Sequence, residues 1–332
     1  MKKIACVGFH ATGAGVIDDL LRECENVAQG FYEAECRILH DADGVSDLEF
    51  HLVECPNRQK TAIAIERFLR YAQDNKRMYE KIYGKKWIPL CREYMDSITK
   101  FQYKGYNKRQ LIIKKPYTQY LMLWYKLINR LTPKEFRKPG WYNYFPNETA
   151  YHACLSEEEF IEKTRFFTEQ LCNSVPQKKN TEYIVIDQMI AGNYPERYLR
   201  YVNDLKVIVV DRDPRDLYIH HETHKDHVLP KDPYHFCTYY RDNRRKYGRI
   251  DKSKVLYVSF EDMIYHYDEM VKRVFDFIGM SSIYHIAPRT HFDPSKSIRG
   301  TQLWKTHIEY SEAVTIIESE LPEFLYQYPD NN

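Results

Sequence analysis

The 332-residue chain is 43% hydrophobic, enough to bury the core of one large domain, with or without a sizeable insertion, and this excludes a disordered chain. Its formal charge of +2, from 49 basic and 47 acidic residues, excludes a global field that would hold nucleic acid, so any anion must be met at a local patch. Eight cysteines without a CxxC pair argue against a zinc site; with no run of ~20 apolar residues and no signal-peptide core after Met1, the expectation is a cytoplasmic protein with reduced thiols, no transmembrane segment and no metal.

In chain order, Lys3 to Gly8 (KIACVG) is predicted to be a short buried strand, followed by the turn FHATGAG and the helical stretch VIDDLLREC. Small residues in such a turn let backbone amides approach a phosphate or sulfate while a helix amino terminus faces it. Gly8, Gly13 and Gly15 resemble the start of a P-loop, but Ala14 replaces the usual Lys, so this is no nucleoside triphosphatase signature. Ile38 to Phe50, containing DADG, is expected to be a loop. From Asn57 to about Asn129 the reading is helical, with Ile63, Phe68, Tyr71, Met78 and Ile82 on one face.

Residues 55 to 175 are accordingly expected to form a mainly helical insertion, an acceptor-binding cap. Its candidate contacts are the basic run Lys104 to Lys115 and the aromatics Tyr117, Tyr120, Trp124 and Tyr125. A solvated helix face is the plainer account of the basic run, and the many tyrosines either line a groove or cover a helical surface. Ser156 with Glu159 forms a capping box that opens a helix.

The second strand signal is Tyr183 to Ile186, with Asp187 and Gln188 at its carboxyl end and a helix opened by Pro195 after it. Asp187 there is a general base, a helix cap or a structural partner of Arg212. The third, VIVVDRDPRDLYIHH from Val207, is an apolar run ending abruptly in Asp211, Arg212, Asp213, Pro214, Arg215 and Asp216. In open α/β sheets ligands lie at the carboxyl ends of strands, so these arginines are placed to meet an anion, with a helix starting at Pro214. His220, His221, His224, His227 and His235 look metal-like, but no HExxH pattern supports zinc. Val255 to Ser259 is a further strand, ending in charge at Glu261 and Asp262, and DEMVKRVFDFIGM is an amphipathic helix closed by Gly279. In the tail FDPSKSIRGTQLWK, the amides, hydroxyls and guanidinium of Lys296, Ser297, Arg299 and Gly300 could close over a phosphate.

The strand ending RDPRD, the later VLYVSFEDMIYHYDEMVKRVFDFIGM and the terminal SKSIRGTQLWK together resemble the sulfotransferases that use 3′-phosphoadenylyl sulfate (PAPS), most closely bacterial members of that P-loop-like superfamily. The resemblance covers the first 30 residues and about 181 to 306, and leaves out the helical middle, where acceptor specificity would lie. It implies an α/β fold: a P-loop-like three-layer α/β/α domain over residues 1–332, with a central parallel sheet and the large helical insertion.

By the resemblance, the turn His10, Ala11, Thr12, Gly13, Ala14, Gly15 and Val16 takes the place of the 5′-phosphosulfate loop. Arg212 matches the arginine that binds the 3′-phosphate. His220 stands where the family has a serine, a departure that weakens the match. Lys296, Ser297, Arg299 and Gly300 fall in the terminal loop that covers the 3′-phosphate, and Trp304 fits the aromatic after it. The family's loop offers a Lys or Arg to the sulfuryl group; here Ala11 stands there with His10 beside it, so His10 or a cation from elsewhere takes that role. Asp187, or Gln188 next to it, corresponds to the base position of the cytosolic members. The implied activity is metal-independent transfer of a sulfuryl group from PAPS to a hydroxyl or amine of a carbohydrate or small-molecule acceptor. A P-loop kinase of a small metabolite and a catalytically weak cofactor-binding relative are the alternatives.

Overall fold

The computed structural model describes residues 1–30, 34–106, 108–137, 147–225, 228–245 and 250–329. The chain divides into two units: Met1–Cys36 with Val175–Asn332, and Arg37–Ser174. In chain order the first unit opens with β1 (Lys2–Val7), α1 (Gly15–Arg22) and β2 (Val27–Gln29). The second contains α2 (Val45–Glu49), α3 (Arg58–Asp74), α4 (Lys76–Tyr83), α5 (Trp87–Ile98), β3 (Phe101–Lys104), α6 (Lys108–Lys114), α7 (Thr118–Leu131), β4 (Thr149–His152) and α8 (Glu157–Ser174). The first unit then resumes with β5 (Tyr183–Asp187), α9 (Pro195–Leu199), β6 (Leu205–Asp211), α10 (Pro214–His224), α11 (Pro233–Asn243) and β7 (Val255–Ser259). It ends with α12 (Phe260–Tyr265), α13 (Tyr267–Ile278), α14 (Pro294–Ser297) and α15 (Ser311–Glu320).

The protein is a mixed α/β molecule with a central parallel five-stranded sheet flanked by helices, as the strand signals predict. The strand order is β2-β5-β1-β6-β7, all pairs parallel. A parallel sheet buries both faces, which is why its strands read as continuous apolar runs. Ile4 and Cys6 of β1 and Ile208 and Val210 of β6 pack with Ile17, Leu20 and Leu21 of α1 and with Met263, Val274 and Phe275. Ala5, Val7, Val207 and Val209, which alternate with them, are equally buried. With β5 on one side of β1 and β6 on the other, the chain reverses its direction of winding at β1. Crevices for ligands form at such a switch point, outside the carboxyl ends of the strands.

Three local readings change. Val45–Glu49 is helical and continues as a π-helical turn through Phe50–Glu54, where a loop was expected; DADG is its entry turn, and a Cβ on Gly44 would lie 2.2 Å from the Ile38 carbonyl oxygen. Phe101–Lys104 is a strand inside a stretch expected to be helical, because it pairs antiparallel with Thr149–His152, and Phe101 stacks on His152 at 4.7 Å. Pairing across that separation leaves no mark on local periodicity. β2, at three residues, is too short to give a sequence signal.

In the second unit the aromatics of α3, α5 and α8 form a core: Tyr94 stacks on Phe167 at 4.4 Å and meets Phe68 at 5.8 Å, and its hydroxyl lies 2.7 Å from Thr164 Oγ1. Trp87 Nε1 donates to the Ala72 carbonyl at 2.8 Å. Tyr79, Tyr83 and Tyr94 are therefore packing residues rather than lining of a groove. The Ser156–Glu159 capping box forms reciprocally, at 3.1 and 3.2 Å. Among the described residues no helix is long and apolar enough to cross a membrane.

Candidate functional site

The turn between β1 and α1 lies where the carboxyl ends of β1, β5 and β6 meet, with Cys6 in register with Asp187 on one side and Ile208 on the other. Its backbone is held in a shape that few residues adopt: φ is +73° at His10, +51° at Ala11 and +85° at Gly13. Thr12, buried, fixes the shape by donating from Oγ1 to the Val210 carbonyl at 2.8 Å and accepting from Phe9 N at 3.1 Å. Gly8 N donates to Gln188 Oε1 at 3.3 Å. Gly13 is required twice over, by its positive φ and because a Cβ would fall 2.4 Å from the Phe260 ring, whereas a Cβ on Gly15 would meet nothing within 4 Å.

The consequence is a row of uncommitted donors. The backbone amides of Ala11, Thr12, Gly13, Ala14 and Gly15 donate to no acceptor among the described residues, and the next two, Val16 and Ile17, turn back onto the Gly13 and Ala14 carbonyls at 3.0 and 3.1 Å. Successive amides in a left-handed turn at a helix amino terminus make a concave anion receptor.

Arg212 is 6% exposed and binds this turn from the side. Its Nη1 donates to the Ala11 carbonyl at 3.2 Å, its Nη2 donates to the Gly300 carbonyl, and its guanidinium lies 5.0 Å from the Phe260 ring centre. Nε is buried without a partner. Burial pushes the guanidinium pKa down, and the nearby Asp216 and Glu261 act the other way.

The other charges of the RDPRD segment are committed to framework contacts. Asp213 caps α10 through Arg215 N at 2.8 Å, and its own amide donates to Glu261 Oε1 at 2.9 Å. Arg215 forks onto Asp213 (Nε 3.0 Å, Nη2 2.7 Å), reaches Glu318 at 2.8 Å and lies 3.8 Å over the Trp304 ring. Asp216 accepts from the amides of Gln302 and Leu303 and from the Tyr328 hydroxyl at 2.7–2.9 Å, tying the terminal loop to α10. Asp211 is gripped by Arg244 at 2.7–2.9 Å, whose guanidinium lies 4.7 Å from the Phe9 ring of the turn. Desolvation pushes the Asp216 carboxyl up to about 6 and that of Glu261 up to about 8.

The turn from His10 to Val16, Arg212 and Gly300 are thus brought into direct contact. Asp187 is the last residue of β5, half-buried, and its carbonyl accepts from Cys36 N at 2.9 Å. Lys296 is exposed and ion-paired with Asp293 at 3.3 Å, away from hydrogen-bond contact with the turn. Ser297 closes α14, half-buried, and Arg299 is exposed with no ion pair among the described residues. His220 lies on α10 with its ring 4.1 Å from that of His224. His227 lies outside the described residues, and among the described residues no three His, Cys, Asp or Glu side chains gather into a metal site.

Sequence reasoning missed Arg244, Phe260 and Asp216 as site-building residues. Asp216 and Glu261 gave a signal only as charge beyond a strand end; Arg244, inside RDNRRK, gave none.

No family model and no curated protein matches the chain. Among solved structures the chain is similar to the sulfotransferase domain of the olefin synthase from Synechococcus PCC 7002, at 11% sequence identity and a TM-score of 0.42, over 99% of this chain and 95% of that one.

Proposed function

We propose that the chain moves a sulfuryl group from PAPS to a hydroxyl or amine of a saccharide or other small acceptor. The observation that carries the reading is the row of uncommitted amides from Ala11 to Gly15 at the start of α1. These donors suit the bridging phosphate and the sulfate of a 5′-phosphosulfate. The 3′-phosphate falls to Ser297, Arg299 and the unpartnered Nε of Arg212, with His220 at the family's serine position.

The donor supplies an activated sulfuryl group, and the chain's own residues hold and orient it. In-line transfer through a loose transition state is accelerated chiefly by position and by donors aimed at the equatorial oxygens. The amides of the turn do that here, and His10, beside Ala11, stands for the missing cation. Asp187 accepts the proton of the acceptor at its carboxylate. No residue in this scheme calls for a metal.

Calorimetry with 3′-phosphoadenosine 5′-phosphate tests the reading. Binding without magnesium, weakened about tenfold or more by Arg299→Ala through loss of a charge-assisted contact, is expected. Arg212→Lys, with a melting curve to confirm folding, tests the buried cation separately. Magnesium-dependent binding of a nucleoside triphosphate in its place would move the chain to the kinases. A second reading, binding without turnover, is favoured by the absence of any Lys or Arg from Gly8 to Val16; it predicts undiminished binding and no sulfate transfer to a broad acceptor panel.

A further inference from the structure

Helix α7 has a face that nothing in the proposed chemistry uses. At about 100° per residue, its apolar positions Tyr120, Leu123, Trp124, Leu127, Ile128 and Leu131 fall in one arc of about 140°. All six are exposed, from 45% at Ile128 to 78% at Leu131. Thr118 and Met122, on the opposite side, are buried, so the helix is anchored by its other face and presents this one outward. An exposed apolar patch of this continuity marks an interaction surface.

Charge decides what it meets. Between Lys104 and Arg137 there are nine Lys and Arg against one acidic residue, Glu135, although the whole chain carries only +2. Lys114 and Lys115 are taken up by Glu148. Lys126, Arg130 and Lys134 are exposed and make no ion pair among the described residues. Lys126 and Arg130 lie along one edge of the apolar arc, and Tyr117, Tyr120 and Trp124 supply aromatics that favour the boundary between hydrocarbon and headgroups. A second copy docked on this face as an antiparallel twofold pair would bring the same cation-bearing edges together, which disfavours it. The surface is an exposed helical face with cations along one edge, and at 14 residues it is about 21 Å long, too short to span a bilayer core of about 30 Å.

We propose that α7 lies in the plane of an anionic lipid surface, with its apolar arc among the acyl chains and Lys126, Arg130 and Lys134 on the headgroups. The inference is independent of the sulfuryl-transfer reading. It is tested on the full chain by co-sedimentation with phosphatidylcholine vesicles with and without phosphatidylglycerol. Retention about tenfold or more greater on the anionic vesicles, reduced by salt, is expected from these cations. The double variant Leu123→Glu with Leu127→Glu, melting as the parent does, is expected to lose that retention, and Lys126→Glu with Arg130→Glu to lose the preference for anionic lipid. Equal retention of parent and double variant, or no retention of the parent on anionic vesicles, overturns the proposal. So does a concentration-dependent dimer in lipid-free solution that the double variant abolishes, since the face would then belong to a second copy.

Discussion

Around the end of β6 the guanidinium groups turn inward: Arg212 holds the carbonyls of Ala11 and Gly300, Arg215 sits between Asp213 and Glu318 under Trp304, and Arg244 grips Asp211. Along α7 the reverse holds, with Lys126 and Arg130 exposed beside an apolar arc that is itself exposed. The same residue class serves as internal cross-link in one region and as surface charge in the other. What separates them is burial. A buried cation is stable only with its partners in place, and removing one partner strands the other, whereas an exposed cation is already solvated and contributes little to folding.

That contrast orders the expected effects of substitution. Arg215→Ala leaves Asp213 buried without its forked partner and is expected to cost about 3–5 kcal/mol in urea unfolding; a loss below about 1 kcal/mol would break the framework view. Glu261→Gln tests the same region through pH. The folded carboxyl titrates near 8 and the unfolded one near 4.5, so between these values the folded state holds the extra proton. The parent therefore loses stability as pH rises through that window, and the variant lacks this loss. The difference between them is expected to grow by on the order of 3–4 kcal/mol from about pH 5 to about pH 8. Asp216, pushed up to about 6, adds a slope of the same sign below about pH 6 in both proteins.

Gly13→Val puts a branched side chain at φ +85° against the Phe260 ring and is expected to cost about 1–3 kcal/mol, read as a lowered melting temperature. It would also distort the row of amides, so binding of 3′-phosphoadenosine 5′-phosphate is expected to fall further than the stability loss explains. Leu127→Glu, on the exposed arc, is expected to shift unfolding by no more than about 0.5 kcal/mol. A cost of several kcal/mol there would mean that the arc is part of the core after all.

Much of the scaffold was legible residue by residue, because its signals are local. The apolar runs at Lys3–Gly8, Tyr183–Ile186, Val207–Val210 and Val255–Ser259 correspond to β1, β5, β6 and β7 within a residue or two. Pro195 and Pro214 start α9 and α10, Gly279 closes α13 in the left-handed conformation, and Ser156 with Glu159 caps α8. Each depends on the conformational limits of one residue or on a bond across one turn.

From sequence alone, then, came the parallel α/β scaffold, the glycine-containing turn after β1 and the arginines at the end of β6. Tertiary structure alone decided which of those arginines are cross-links, that Glu261 and Asp216 hold the backbone of neighbouring loops, and that Phe101–Lys104 pairs with Thr149–His152. It also decided that Tyr79 and Tyr94 are core while Tyr120 and Trp124 are surface. The physical reason is common to all of these: each role is set by a partner or by a burial that depends on residues distant in the chain, and composition and periodicity carry no record of which distant residue that will be.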